Sequence, residues 1–325
     1  MKWEKKWIFG AMIALFLFVL PWIYDSRSTL ILITQIFIFA VFAMSYDLLL
    51  GYTGIISFGH AMFFGIGAYS TGIGLMRNGE TWTALLYALG ITVILCLLLS
   101  HVVGMLSLRL KSHYYAMLTL AFTGLLQVGA EKWRSLTKGN DGFTFHIPEF
   151  LMDRKIFYLF SLLFMIIIFL FLYQLISSPF GKVLQAIREN ERRALSLGYQ
   201  VVHYKVWANV IAGVIAGLSG MVYALSLRFI NTSVFAVDIT LDVLLMTIIG
   251  GVGTLLGPII GAALIETAHE MLTELADVHW LFERWIILFG LIYILVVLFF
   301  PKGIVGTWNE WMKKERWKKW NRLGL

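Results

Sequence analysis

The stretch SSPFGKVLQAIRENERRALSLGYQVVHYK, Ser177 to Lys205, decides how the rest of this chain is read. It is a charged island: an unbroken apolar run from Ile156 to Tyr173 precedes it, and a second apolar run from Val206 to Leu227 follows. Pro179 suits a first helical turn and Gly198 suits a helix end, so the pattern predicts a helix of about four turns. Val183, Leu184, Ile187, Ala194 and Leu195 recur at near-helical spacing, while Lys182, Arg188, Glu189, Glu191, Arg192 and Arg193 fill the remainder. A short amphipathic helix of this kind, held between two membrane spans, is either a solvated connector or a docking element.

That the flanking runs are spans follows from composition. Of 325 residues, 59% are hydrophobic and 14% charged, whereas soluble domains carry about 25% charged residues. So much apolar surface cannot be hidden in one soluble core. The class is an all-α, polytopic integral membrane protein with about 8–10 transmembrane helices. The net charge of +7 is concentrated at the ends: Lys2, Lys5 and Lys6 open the chain, and Lys313, Lys314, Arg316, Lys318, Lys319 and Arg322 close it. Such clusters mark the cytoplasmic side of a membrane, not a nucleic-acid face. Trp308, Trp311, Trp317 and Trp320 interleave with the terminal lysines, the pattern of a helix lying on anionic membrane lipid. Residues 1–306 therefore read as a transmembrane domain and 307–325 as a basic, Trp-rich cytoplasmic tail. The single cysteine, Cys96, excludes an internal disulfide. The run Ile8 to Leu20 continues into Pro21, Trp22 and Tyr24 without a small-residue cleavage pattern, so an uncleaved first span is expected.

Hydrophobic runs of spanning length fall at 7–24, 29–50, 83–108, 113–130, 156–176, 206–228 and 283–300. Arg109 with Lys111, and the loop 178–205, are the basic breaks. If these and both ends face the cytoplasm, ten crossings satisfy the parity. That requires 241–253 and 254–274 to form two passes or a re-entrant pair, although the first is too short for an ordinary span. Two regions are apolar but rich in glycine: Leu48 to Gly74, LLLGYTGIISFGHAMFFGIGAYSTGIG, and Leu244 to Leu264, LLMTIIGGVGTLLGPIIGAAL. One lies in each half. Interrupted apolar segments in matching positions of two halves point to a substrate pathway at the repeat interface. Glycines can instead serve close helix packing, the preferred reading for Gly253, Gly257 and Gly261 and for Gly213 and Gly217, all at four-residue spacing. Over Gly51–His60 a pathway element is preferred, because Tyr52, Thr53, Ser57 and His60 are polar groups among Gly51, Gly54 and Gly59. Asp47, near the inner end of the second span, joins that candidate set.

Other chemistry is sparse. Gly181-Lys182 lacks the upstream glycine of a phosphate-binding loop, so this chain does not hydrolyse a nucleotide by that route. Glu266, His269 and Glu270 give one E-x-x-H, and a di-metal site needs two, so no metal is expected. No nucleophile–base constellation is visible. The segment TKGNDGF, Thr137 to Phe143, is a turn in the longest outside loop. A self-sufficient secondary transporter would need coupling sites in the membrane, for which Asp47, Glu266 and His269 are the scattered candidates.

Six stretches in order resemble the permeases of branched-chain amino acid ATP-binding cassette importers, in particular the LivM-type subunit. They are Leu48–Tyr69, Leu108–Phe122, TKGNDGF, Ser178–Gly198, LLMTIIGGVGTLLGPIIGAAL and Leu295–Gly306. The resemblance implies a transport subunit without its own cofactor, paired with a LivH-type permease, two cytoplasmic ATP-binding subunits that hold the ATP, and an external solute-binding protein. It implies a bacterial inner-membrane location with both termini cytoplasmic. On it, Ser178–Gly198 corresponds to the ATPase-docking loop, with Gly181, Ala186, Ile187, Arg188, Glu189, Asn190, Arg192 and Gly198 as its residues. Asp47, Gly51, Tyr52, Thr53, Gly54, Ser57, Gly59 and His60 correspond to the translocation core of an alternating-access mechanism. Lys138 stands where relatives often have a small residue, which leaves the solute open: similar permeases serve urea and short-chain amides.

Overall fold

The computed structural model describes residues 2–23, 26–108, 112–276 and 303–308, with positions 290, 294, 298 and 311. The basic break at Arg109 and Lys111, most of the expected span 283–300 and the lysines of the tail lie outside the described residues. The chain is all-α. Its helices are α1 (Lys2–Ile23), α2 (Arg27–Thr53), α3 (Ala61–Asn78), α4 (Trp82–Ser107), α5 (Ser112–Lys132), α6 (Arg134–Thr137), α7 (Arg154–Ser177), α8 (Pro179–Glu189), α9 (Glu191–Ser196), α10 (Val201–Leu227), α11 (Val237–Gly250) and α12 (Leu256–Ala276). Among the described residues the only sheet is a two-residue antiparallel pair, β1 (Phe143–Thr144) with β2 (Phe229–Ile230).

Among the described residues four helices, α2, α4, α7 and α10, are long and apolar enough to cross a membrane. Leu86, Ile94 and Leu98 on α4, Met117 and Leu125 on α5, and Leu163 and Ile167 on α7 stay exposed. Large side chains facing outward in this way suit hydrocarbon, not water. α10 is the centre of the bundle and packs on α2, α3 and α4. Within lipid there is little hydrophobic gain in pressing helices together, so close backbone approach and interhelical hydrogen bonds must hold them. The sequence supplies both. A Cβ on Gly67 would collide with the Gly217 carbonyl, one on Gly220 with the Phe64 carbonyl, and one on Gly217 with Cys96 Sγ. Asn209 donates to the Ser100 carbonyl at 2.7 Å and accepts from the Tyr115 hydroxyl at 3.0 Å. Ser219 donates to the Ile38 carbonyl at 2.7 Å. The packing reading of Gly213 and Gly217 is what the structure shows.

In the second glycine region the packing reading holds at Gly257 and Gly261 but not at Gly253, which is left-handed (φ 79°) in the turn between α11 and α12. α11 and α12 form a tight hairpin in which Gly250 admits the Gly257 carbonyl and Gly261 admits that of Met246. With 14 residues, α11 is only about 21 Å long, short of a ~30 Å hydrocarbon layer. The missing height lies in the segment before it: Phe235 lies against Gly65 and stacks on Tyr69 at 5.5 Å. α11 therefore starts inside the bundle, at the level of the fifth residue of α3, and not at its rim.

One expectation is corrected. Pro179 to Gly198 is not one helix of about four turns but two, α8 and α9, parted at Asn190. Asn190 is extended (φ −158°, ψ 98°), and its side chain accepts the Arg193 N–H at 3.0 Å. An asparagine that caps a new helix stabilises it more than it would a helix interior. The two ends were placed correctly: Pro179 is in the first turn behind the Ser178 cap, and Gly198 takes the left-handed conformation (φ 87°).

The glycine contacts give a contrast to measure. Gly220→Val must push apart α10 and α3 backbone, so loss of folded protein or a destabilisation of about 1–3 kcal/mol is expected. Gly90→Ala on α4 meets nothing within 4 Å and should gain about 0.5–1 kcal/mol. Thermal unfolding of the purified chain in mild detergent reads both.

Candidate functional site

Backbone that leaves the helix at membrane depth must find hydrogen-bond partners in protein, because lipid offers none. α2 ends at Thr53, and the chain re-enters the bundle as a non-helical segment, Gly54 to His60, that opens on a left-handed glycine (φ 73°) before α3 begins. Its polar groups, and the first N–H of α3, are met by side chains from three helices. The Tyr46 hydroxyl of α2 donates to the Ser57 carbonyl at 3.0 Å. Thr119 of α5 accepts the Phe58 N–H at 3.2 Å, and Thr240 of α11 accepts the Ala61 N–H at 2.9 Å. His60, fully buried on α3's first turn, stacks on Phe42 at 5.3 Å and lies 2.8 Å from the Ser45 hydroxyl. Ser45 spends its one proton on the Phe42 carbonyl at 2.6 Å, so His60 Nε2 is the donor of the pair. Gly59 lies against the Thr119 backbone with no room for a Cβ.

The second break, Gly251 to Leu255, stands at the end of the bundle where α2 stops. Its partners come from α2. Asp47, fully buried, accepts the Gly253 N–H at 2.7 Å, and the Tyr52 hydroxyl donates to the Gly253 carbonyl at 3.1 Å. Thr254 closes the turn by donating to the Gly251 carbonyl at 2.7 Å and accepting the Gly257 N–H at 3.1 Å. Gly51 is pressed so closely on this loop that its Cβ would stand 2.5 Å from the Gly253 nitrogen. Gly303, left-handed at φ 69°, packs on Gly251 from the other side. The two glycine regions of the two halves thus meet directly, at Gly51 and Gly253.

Across this junction lies α8. Leu184 and Ile187 are buried, while Ala186, Glu189 and Asn190, with Arg192 on α9, are exposed. Gly181 is buried against the Ile176 backbone, a turn back in α7. Lys205 pairs with Glu191 at 2.8 Å and holds α9 to α10. Arg188 is both: more than a third of it is exposed, yet its guanidinium reaches inward and donates to the Gly51 carbonyl.

At the opposite end, TKGNDGF is folded down rather than open. Lys138, Gly139 and Gly142 take left-handed φ values of 60°, 67° and 66°. Asn140 accepts from Thr232 at 2.8 Å, and β1 pairs with β2 just after α10. A cleft of about 340 Å³ near this end is lined by Arg27, Arg154 and Arg228 with Leu30, Phe157 and Leu225; it touches none of the residues expected along the path.

The structure therefore brings Asp47, Gly51, Tyr52 and Gly54 together with the second break and with Arg188. It places Ser57, Gly59 and His60 deeper, among Ser45, Tyr46, Thr119 and Thr240. Thr53 turns back on its own helix, donating to the Leu49 carbonyl. Sequence reasoning missed Thr119 and Thr240, single hydroxyls on apolar helices distant in the chain, for which no local signal exists. Glu266 lies with Asp242 and Glu270 on facing turns of α11 and α12; no set of three metal-ligating side chains occurs among the described residues.

A bundle of apolar helices broken once in each half, with the end of α2 seated on the second break, fits a membrane permease. The family model for the permease component of branched-chain amino acid transport systems matches residues 28–299, and the chain belongs to that family. Similar curated proteins are the high-affinity branched-chain amino acid transport system permease proteins LivM of Escherichia coli and Salmonella typhimurium. They are 23% and 25% identical, over 93% of this chain and 76% of each relative. A probable LivM permease of Methanocaldococcus jannaschii is 25% identical over 82% of this chain and 90% of its own length. No solved structure gives a significant match.

The threonine partners can be tested singly. Thr240→Val keeps the shape but orphans the Ala61 N–H, and a loss of about 1–3 kcal/mol is expected. Thr71→Val, whose hydroxyl turns back on the Gly67 carbonyl of its own helix at 2.8 Å, should cost less. Detergent melting curves of the two variants, compared side by side, decide it.

Proposed function

We propose that this chain is the permease subunit of an ATP-binding cassette importer that takes up branched-chain amino acids by alternating access. The observation that carries the reading is the position of α8: a charged, amphipathic helix lying across the junction of the α2 end with the second break, with α9 beside it on α10 and with Ala186, Glu189, Asn190 and Arg192 turned outward. The relatives' names supply the solute class. In this scheme a solute-binding protein presents the ligand at the end that carries TKGNDGF. A second, LivH-type permease completes the path, and two ATP-binding subunits seat on α8 and α9. The energy comes from ATP bound by those partners; this chain supplies the path and the lever. The end carrying α8 faces the cytoplasm, as do both termini, and the location is the plasma membrane.

The path residues follow from the same placement. Ser57, Gly59 and His60, with Tyr46 and Thr119, belong to the non-helical segment where helix packing is already interrupted. Separation of α2, α5 and α11 opens the bundle there without unwinding a helix. Asp47, Gly51, Tyr52, Thr53 and Gly54 form its inner end.

The test is co-purification from native membrane, followed by reconstitution in vesicles with the captured partners. Uptake of leucine, isoleucine or valine that requires ATP is the expected result. Uptake of urea or a short amide instead would move the solute class, and transport by this chain alone, driven by a proton gradient, would overturn the importer reading. Arg192→Glu should weaken capture of the ATP-binding subunit at least about tenfold, since reversing an interfacial charge sets like against like.

A further inference from the structure

We propose that Arg188 is a positioning residue that ties α8 to both helix breaks at once, so that displacement of α8 moves Gly51 and Gly253 together. This rests on the importer reading above for what moves α8, but the tie itself is a property of this chain's own contacts.

Three observations converge on the one side chain. First, its guanidinium donates to the Gly51 carbonyl. Gly51 lies in the last turn of α2, where carbonyls have lost their intrahelical donors and the helix end is electronegative. Arg188 supplies a cationic cap from outside the helix. Second, the arginine lies directly over a glycine of each break. A Cβ on Gly54 would stand 3.3 Å from Arg188 Cγ, and one on Gly253 would stand 2.9 Å from its Nη1. Both glycines hold left-handed backbone, φ 73° and 79°. Each is therefore doubly suited to glycine, by conformation and by the arginine lying over it. Third, Asp47 lies one helical turn from Gly51. Its Oδ1 holds the Gly253 N–H, and the Thr254 and Leu255 backbone faces the same buried carboxylate. Arg188 is the cation whose charge acts on that carboxylate. Tyr52 completes the ring through the Gly253 carbonyl.

The arrangement links three segments that are remote in sequence: the cytoplasmic helix, the end of α2 and the α11–α12 turn. Arginine suits it better than lysine. A planar fork can hold one carbonyl while its other edge lies along a second backbone, whereas an ammonium is a single point. Ile187, the preceding residue, is buried, so the backbone that carries Arg188 is itself anchored. The exposed remainder of Arg188 lies on the same surface as Glu189 and Arg192. A force applied to that surface reaches both breaks through one residue.

The experiment has two arms. In the reconstituted complex, solute uptake and ATP hydrolysis are measured in one preparation for the wild type, Arg188→Ala and Arg188→Lys. In the complexes that assemble, uptake per ATP of Arg188→Ala is expected to fall about tenfold, a loss of coupling read as a ratio and so independent of how much ATP-binding subunit is captured. Arg188→Lys should recover part of the ratio. An unchanged ratio overturns the proposal. In the second arm, hydrogen exchange is followed in the purified chain alone, over peptides 49–57 and 250–257. Arg188→Ala, or Arg188→Lys if the alanine variant does not fold, should speed exchange in both peptides and leave 137–143 unchanged. A response in only one peptide sinks the double tie. Because this arm needs no partner, a complex that moved no solute with ATP would refute the importer reading and leave the tie to be judged by exchange.

Discussion

Every unusual feature of this chain answers to one constraint: a backbone N–H or carbonyl at membrane depth cannot be left to lipid. An unpaired group there costs several kcal/mol, more than a typical hydrogen bond returns. A helix meets the requirement within itself. Once α2 stops at Thr53 and the chain re-enters the bundle as non-helical backbone, the requirement passes to side chains on other helices. Tyr46, Thr119 and Thr240 take up the first break, and Asp47 and Tyr52 take up the second. The breaks thereby become the places where α2, α5, α11 and α12 are held to one another. Interruption and cross-linking are the same fact seen from two sides.

The rest of the bundle is held differently. Between α3 and α10, and between α11 and α12, carbonyls rest where side chains would otherwise stand, at Gly67, Gly220, Gly250 and Gly261. Such contacts gain dispersion over many atoms and tolerate almost no displacement, because packed backbone has nowhere to yield. Hydrogen bonds from rotatable hydroxyls are easier to exchange. The molecule thus divides into paired helices that move as units and junctions where partners can be traded.

Much of this was legible in the sequence, and the reasons differ by element. The spans, the charged loop and the two glycine regions were visible because each is a local departure from apolar background. Pro179 and Gly198 marked the ends of the loop helices for the same reason. The break at Asn190 was not read, because a single asparagine among charged residues gives no periodic signal until its cap is seen. Asp47 stood out as a charge in a span. Its partner, the Gly253 N–H, is separated from it by about two hundred residues and carries no side chain to announce it. Thr119 and Thr240 are invisible for a related cause: a hydroxyl on an apolar helix is common, and only the position of Phe58 and Ala61 gives these two a task. Arg188 reads in the sequence as part of the charged face of the loop helix and, by resemblance, as a docking residue, and the structure shows that its guanidinium also reaches inward to Gly51.

The junction of Gly51 with Gly253 bears on how such a molecule can alternate. Along its shafts the bundle is packed, with α10 of the second half against α2, α3 and α4 of the first, and motion there is resisted along the whole length. At the α8 end the α11–α12 turn meets the end of α2 through glycines, a carboxylate, a phenol and one guanidinium. Few polar bonds must be exchanged there, while the glycine-packed pairs stay rigid. Small displacements at a surface become large ones only where the structure between is jointed and not elastic. The charged loop lies across the joint itself, so a push on α8 acts where resistance is least and where both halves respond. A docking helix placed anywhere along the shafts of α4 or α7 would have to move a packed helix before it moved a break.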